Sequence, residues 1–210
     1  MALAFEELKV RLTGLDSVLG SVALNKEVFS EFLVNKTKTK EEKEAALADL
    51  ENIEENTEKG TTGFYRDENG KLIMKGYQVK GFLKEAMKAL KDQLDIKSYL
   101  TKVDNYVFVL ERNIPIMRDG EQLEKPDGFL ERPLRAETMQ GPRVSLARSE
   151  EVLCDWYIDL TIRVMKNAGT TKSKPVDMDA IKACLDYGSM KGLLQWRNAG
   201  HGSFNWEEIK

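Results

Sequence analysis

Four arginines, Arg132, Arg135, Arg143 and Arg148, lie between positions 132 and 148 against a single acid, Glu137. Their guanidinium forks suit bidentate contact with phosphate oxygens, and the stretch holds too few carboxylates to pair them all. Lys80, Lys84, Lys88 and Lys91 recur at helical spacing, so their ammonium groups share a face that can follow a row of phosphates. The plainer reading of that stripe is the solvated side of an amphipathic helix. A third group closes the chain, where Gly200, His201 and Gly202 follow Lys191 and Arg197. Glycines let backbone N–H groups come close to an anion, and the two cations add charge, although spaced glycines also make ordinary turns.

Other chemistry finds little material. His201 is the only histidine, and Cys154 and Cys184 stand outside any Cys-x-x-Cys pair, which excludes ordinary zinc sites and Cys/His catalysis. Both cysteines are read as small buried hydrophobes. There is no Ser/His/Asp spacing, no phosphate loop ending in Gly-Lys-Ser/Thr, and no carboxylate cluster suited to a metal. No cofactor is expected, and an enzyme is the weaker reading. A lone histidine among glycines more often hydrogen-bonds a ligand or the backbone than transfers protons. Phe64, Tyr65 and Tyr77 are read as packed aromatics of a hairpin and not as a surface for stacking bases.

The net charge of −3 conceals a segregation along the chain. Residues 40–58 carry a net −6, residues 71–102 a net +5, and residues 132–148 a net +3. Outside the acidic stretch the chain is net positive, which suits an anionic partner. Ala46, Leu47, Leu50 and Ile53 sit at helical spacing within it, so an acidic helical insertion is expected at about 36–60. No apolar run is longer than Tyr106–Leu110, far short of the roughly 20 residues that cross a bilayer. With Glu6 and Glu7 against a signal peptide, a cytoplasmic protein without a membrane partner is expected.

Regular elements must position these groups. Leu8, Val10 and Leu12 alternate with Lys9, Arg11 and Thr13 as a half-buried strand that Gly14 stops. Asn25–Val34 reads as a short helix. Thr62–Arg66 and Lys71–Lys75 flank Asp67-Glu68-Asn69-Gly70, a hairpin signal. From Val79 the apolar period becomes helical through Phe82, Leu83, Ala86, Met87, Leu90 and Leu94. Val103–Arg112 reads as a buried strand, 113–131 as a long loop rich in Pro, Gly and charge, and Arg143–Ala147 as a short strand. Strict alternation from Cys154 to Val164 marks the clearest strand. A last helix follows an Asp177 N-cap, with Gly188 at its left-handed C-terminal position. One α+β domain over 1–210, an antiparallel sheet with helices on one face, is the expected architecture.

Three of these segments, in this order, resemble the RAMP superfamily, the RNA-binding proteins of CRISPR systems. They are Lys75-Gly76-Tyr77-Gln78-Val79-Lys80-Gly81-Phe82-Leu83-Lys84-Glu85-Ala86; Arg132-Pro133-Leu134-Arg135 through Arg143-Val144-Ser145-Leu146-Ala147-Arg148-Ser149-Glu150-Glu151-Val152; and Gly188, Gly192 and Trp196-Arg197-Asn198-Ala199-Gly200-His201-Gly202-Ser203-Phe204. The likeness is nearest to backbone subunits of effector complexes. It departs from the pattern at the acidic insertion and at His201, where an aromatic is more usual. The resemblance implies a ferredoxin-like (RRM-like) fold with a C-terminal glycine-rich loop, a bound single strand of RNA (or DNA), and partners among CRISPR or defence-complex subunits. It also implies homo-oligomeric assembly through a long extension, for which 113–131 is the candidate segment. Two rivals stand beside this reading. One is a phage or prophage interaction module that mimics a CRISPR subunit, which the acidic helix favours. The other is a metal-dependent ribonuclease using Asp16 on the loop after the first strand, where a loop-capping aspartate is the simpler account.

Overall fold

The computed structural model describes residues 3–24, 61–138, 141–169 and 174–210. The expected helix at Asn25–Val34 and the acidic insertion at 36–60 lie outside them. The alternation after Phe5 forms β1 (Phe5–Gly14), whose Leu8, Val10 and Leu12 are buried while the residues between them face solvent. It pairs antiparallel with β13 (Tyr157–Met165), placing Leu8 opposite Ile162 and Leu12 opposite Ile158. Its other edge receives β14 (Phe204–Glu208). This is the centre of a six-stranded antiparallel sheet that also holds β7 (Val107–Val109), β9 (Met117–Arg118) and β10 (Glu121–Gln122).

One face of that sheet carries the core. Against it pack α1 (Gly76–Leu94), through Val79, Phe82, Leu83, Ala86 and Met87, and α3 (Met178–Asp186), through Ile181, Cys184 and Leu185. Each apolar side chain so buried contributes about 1.5–3 kcal/mol relative to exposure. The opposite face is polar, with Arg11 bidentate to Asp159 at 2.7 Å and Arg163 paired to Glu7 at 2.6 Å. An α+β architecture with helices on one sheet face is therefore observed. Asp177 caps α3 as expected, its carboxylate accepting from the Ala180 N–H at 2.9 Å. Gln78 accepts from the Lys75 N–H at 2.8 Å and closes the start of α1. The hairpin of β5 (Tyr65–Arg66) and β6 (Leu72–Lys75) turns at Asp67–Gly70, where Gly70 has φ of 79°.

Four expectations are corrected. Val103–Arg112 is not a strand throughout: α2 (Tyr99–Tyr106) precedes β7, because Tyr99, Val103 and Tyr106 share a helical face and Val103 is wholly buried. Residues 113–131 are not a structureless loop. They form β8 (Asn113–Pro115), β9, β10 and the start of β11 (Gly128–Thr138), with Ile114 and Ile116 fully buried and β8 paired to β6. Pro115, without an N–H, sits in a short strand opposite Ile73, and Asp119-Gly120, both at positive φ, turn β9 into β10. Arg143–Ala147 is only part of β12 (Gly141–Val152), which pairs with β11 from Gly141 to Glu151. Cys154 is exposed, whereas Cys184 is buried.

Among the described residues the β11–β12 hairpin pairs with the body at one end. Arg148 and Ser149 of β12 pair in parallel with Thr61 and Thr62 of β4 (Thr61–Gly63), and Glu151 and Val152 pair with β2 (Val18–Leu19). β3 (Val22–Ala23) completes this second sheet beside β4. Among the described residues no helix is long and apolar enough to cross a membrane.

Candidate nucleic-acid interface

The glycine-rich tail folds as it does because two stretches of backbone touch. A Cβ on Gly192 would stand 2.0 Å from the His201 carbonyl oxygen, and one on Gly202 would stand 2.4 Å from that of Leu193. Gly202 has φ of 71° and Gly200 φ of 95°, conformations that cost other residues free energy. Gly202 N–H donates to the Ser17 carbonyl at 2.7 Å, and Gly200 N–H to that of Arg197 at 3.2 Å. Both donors are thus engaged inside the protein, so these two glycines serve close packing, and the anion cradle expected of their N–H groups is not formed from them. Gly188 is not left-handed either. It lies in a 3-10 turn, Tyr187–Ser189, and is glycine because a Cβ would meet the buried Phe204 ring at 2.2 Å.

That packing delivers His201, nearly buried, to the centre of a small polar cluster. Its Nδ1 lies 3.1 Å from Ser17 Oγ and its Nε2 3.4 Å from an Arg132 guanidinium nitrogen. Arginine has no acceptor, so in the neutral ring Nε2 must accept and Nδ1 must carry the proton that Ser17 Oγ receives. Ser17 therefore orients the imidazole and is not activated by it. Arg132, exposed on β11, also sits over the Trp196 ring at 5.6 Å, a cation–π distance, and Trp196 and His201 lie 6.3 Å apart. Among the described residues no carboxylate pairs with Arg132. Leu194 and Trp196 hold φ of 61° and 52°, strained values for bulky residues that cost roughly 1–3 kcal/mol each. Gln195 between them accepts from Thr62 Oγ1 at 2.7 Å and fixes the tail to β4.

Five of the other candidate cations have partners. Lys84 pairs with Asp104, and Lys80 donates to the Asp104 carbonyl at 2.9 Å while its ammonium, held below the ordinary lysine range by burial, lies 5.4 Å from the Phe108 ring. The stripe at 80 and 84 thus fastens α1 to α2. Lys191 and Arg197 converge on Glu85 of α1 at 3.6 and 3.0 Å. Arg148 faces Glu131 at 3.2 Å and covers the Phe129 ring at 4.1 Å. For Arg135 and Arg143 the description reaches the backbone: they stand opposite Val144 and Ala136 in the hairpin. Of the sequence candidates, then, Arg132 meets His201, and Lys191 and Arg197 share Glu85. Ser17, Gln195 and Trp196 were not among them. Nothing in the residues around Ser17 signals its role, and Trp196 reads as core until its backbone conformation is seen.

Asp16 accepts from the Ser17 N–H at 2.6 Å, and its carbonyl from Trp156 Nε1 at 2.9 Å. This is the geometry of a loop cap. Among the described residues no group of three His, Cys, Asp or Glu side chains is placed to hold a metal ion.

No protein-family model matches the chain, and no curated protein does. Among solved structures, the cryo-EM structure of the Type III-B Cmr-beta bound to cognate target RNA contains a chain that aligns over 98% of this one and 59% of its own length. The TM-score is 0.48 and the sequence identity 11%, values at which no residue's role carries across.

Proposed function

We propose that this chain binds a single strand of nucleic acid, RNA before DNA, where the base of the β11–β12 hairpin meets the glycine-rich tail. The observation that carries the reading is Arg132, an exposed guanidinium held by an imidazole and an indole instead of a carboxylate. A cation fixed in that way keeps its charge for an anion outside the protein, and the Trp196 ring beside it offers a surface for a base. Arg135, Arg143 and Arg148 on the same hairpin extend the positive segment, while Lys191 and Arg197 lie farther along the tail with Glu85 already between them. The preference for RNA, the RAMP-like, ferredoxin-related fold and a place beside CRISPR or defence-complex subunits follow from the sequence resemblance. The long extension that reaches a neighbouring copy is assigned to the β11–β12 hairpin, in place of 113–131. No catalytic step is part of the proposal.

Titrating a labelled RNA strand at several salt concentrations tests it. Affinity should fall with salt along a log–log slope of about −0.7 per phosphate contact, and Arg132→Ala should flatten that slope by about one contact and weaken binding roughly tenfold. Failure of micromolar protein to bind, or an Arg132→Ala protein with unchanged affinity and slope, would overturn the reading and leave the interaction-module alternative in front.

A further inference from the structure

We propose that a bound strand draws a proton onto His201, so that the Arg132 site holds a phosphate more tightly as the medium turns acid. The proposal rests on the strand-binding reading above and names a regulation of that same site. While the ring is neutral, Nε2 accepts from Arg132 at 3.4 Å and Nδ1 donates to Ser17 Oγ at 3.1 Å. A proton on Nε2 would remove the acceptor and set two cations side by side, which is disfavoured as long as nothing neutralises Arg132. The contact that makes the imidazole a good brace for the guanidinium thus makes it a poor base.

A phosphate reverses that balance. An oxygen accepting from the Arg132 guanidinium at ordinary hydrogen-bond length falls within roughly 6 Å of Nε2, near enough for its charge to favour the imidazolium. The protonated ring still donates from Nδ1 to Ser17 Oγ, and gains at Nε2 a charged N–H on the side of Arg132. Ser17 therefore suits both states. The remaining charged groups near the ring do not set the sign. Asp16, on the loop after β1, has Oδ2 4.0 Å from where a Cβ on Gly200 would stand, and its Oδ1 accepts from the Ser17 N–H at 2.6 Å. Lys191 and Arg197 of the tail are paired with Glu85 of α1, and Arg148 of β12 with Glu131. Thr62 of β4, bonded to Gln195, is neutral. All of these are present with or without a strand, so the difference comes from the phosphate. The bound form then holds more protons than the free one. By linkage, affinity rises as pH falls through the range of about 5 to 8 in which an imidazole changes charge, and levels off on either side.

The test titrates labelled poly-uridine, whose bases do not change charge in that range, against wild type, His201→Gln and Arg132→Ala at about pH 5.5, 6.5 and 8. Wild-type affinity should rise about three- to tenfold from the highest pH to the lowest, and never faster than about tenfold per pH unit, the limit for one proton. His201 is the chain's only histidine, so nuclear magnetic resonance can follow its ring alone. Its titration midpoint should move to higher pH when the strand is added. His201→Gln keeps an acceptor for Arg132 but cannot take up the proton, so it should match wild type at the highest pH and show little of the gain at the lowest. Arg132→Ala should bind more weakly throughout. The resonance measurement uses wild type only, so it decides the matter even if His201→Gln fails to fold. A midpoint unmoved by a strand that does bind, or an equal pH dependence in folded His201→Gln, would overturn the coupling and leave strand binding by Arg132 standing. Wild-type protein that binds poly-uridine at none of these pH values would remove the parent reading, and the coupling with it.

Discussion

Each cation on this surface is defined by what faces it. Arg148, Lys84, Lys191 and Arg197 all meet carboxylates, and exposed pairs of that kind contribute little beyond about 1 kcal/mol to stability. Arg132 meets His201 and Trp196 and keeps its charge outward. The shortage of acids between 132 and 148 was readable in the sequence, but the partners Glu131, Asp104 and Glu85 lie outside that window or on other elements. Counting charge along the chain cannot find them. The cysteines make the same point about environment. Cys184 is buried, and burial pushes its thiol up to about 12, so near neutral pH it is both shielded and protonated. Cys154 is exposed. A disulfide reagent near neutral pH should modify one thiol quickly in the native protein and two after denaturation, and Cys154→Ser should abolish the fast phase. Two thiols reacting together in the folded state would contradict the burial of Cys184 on the core face of α3.

Elements decide what a glycine does. Gly81 lies within α1, and a Cβ there meets nothing within 4 Å, whereas a Cβ on Gly188 falls 2.2 Å from the Phe204 ring. The same substitution should therefore act with opposite signs. Gly81→Ala recovers up to about 1 kcal/mol of helix propensity and should raise Tm by about 2–4 °C, as differential scanning calorimetry would record. Gly188→Ala forces a buried ring to move and should cost about 1–3 kcal/mol, with a matching fall in Tm. A fall for both, or a rise for both, would contradict the placement of one of them. Period alone identified α1, β1, β13 and α3, because each shows one clean apolar face. It failed where composition misled. Tyr99–Tyr106 has both a helical face and β-branched neighbours, and only the burial of Val103 beside α1 selects the helix. Around Ile114 and Ile116, Pro and Gly suggested a loop, although the alternation of those isoleucines and the Asp119-Gly120 turn signal were both present.

The largest departure from the expected molecule is where it reaches outward. Arg118 grips Asp127 through two bonds of 2.8 and 2.7 Å, and β8 lies on β6, so 113–127 is fastened to the body and cannot serve as a free extension. The β11–β12 hairpin is the segment proposed in its place. Among the described residues β11 pairs with β12 alone from Gly128 to Thr138, and β12 pairs with the rest of the protein through 148, 149, 151 and 152. An exposed strand edge with Leu146 at 58% exposure and Phe129 at 46% is a surface that soluble proteins normally cover or use. If it contacts a different face of a second copy, the contact is heterologous and open, so protomers add in a row instead of closing into a dimer. Mass photometry on RNA strands of increasing length should then show stepwise addition by the wild type. Replacing 134–145 by an Asn-Gly turn keeps the Arg132–Ala147 pair and the Arg132 cluster, and should leave one protomer per strand, with a salt slope flattened by no more than the two contacts of the removed Arg135 and Arg143. A shortened protein that still adds in steps would move the contact off the hairpin. A wild type that stays single on every strand, or forms a closed dimer without one, would leave the hairpin no role in assembly and confine its function to holding Arg132.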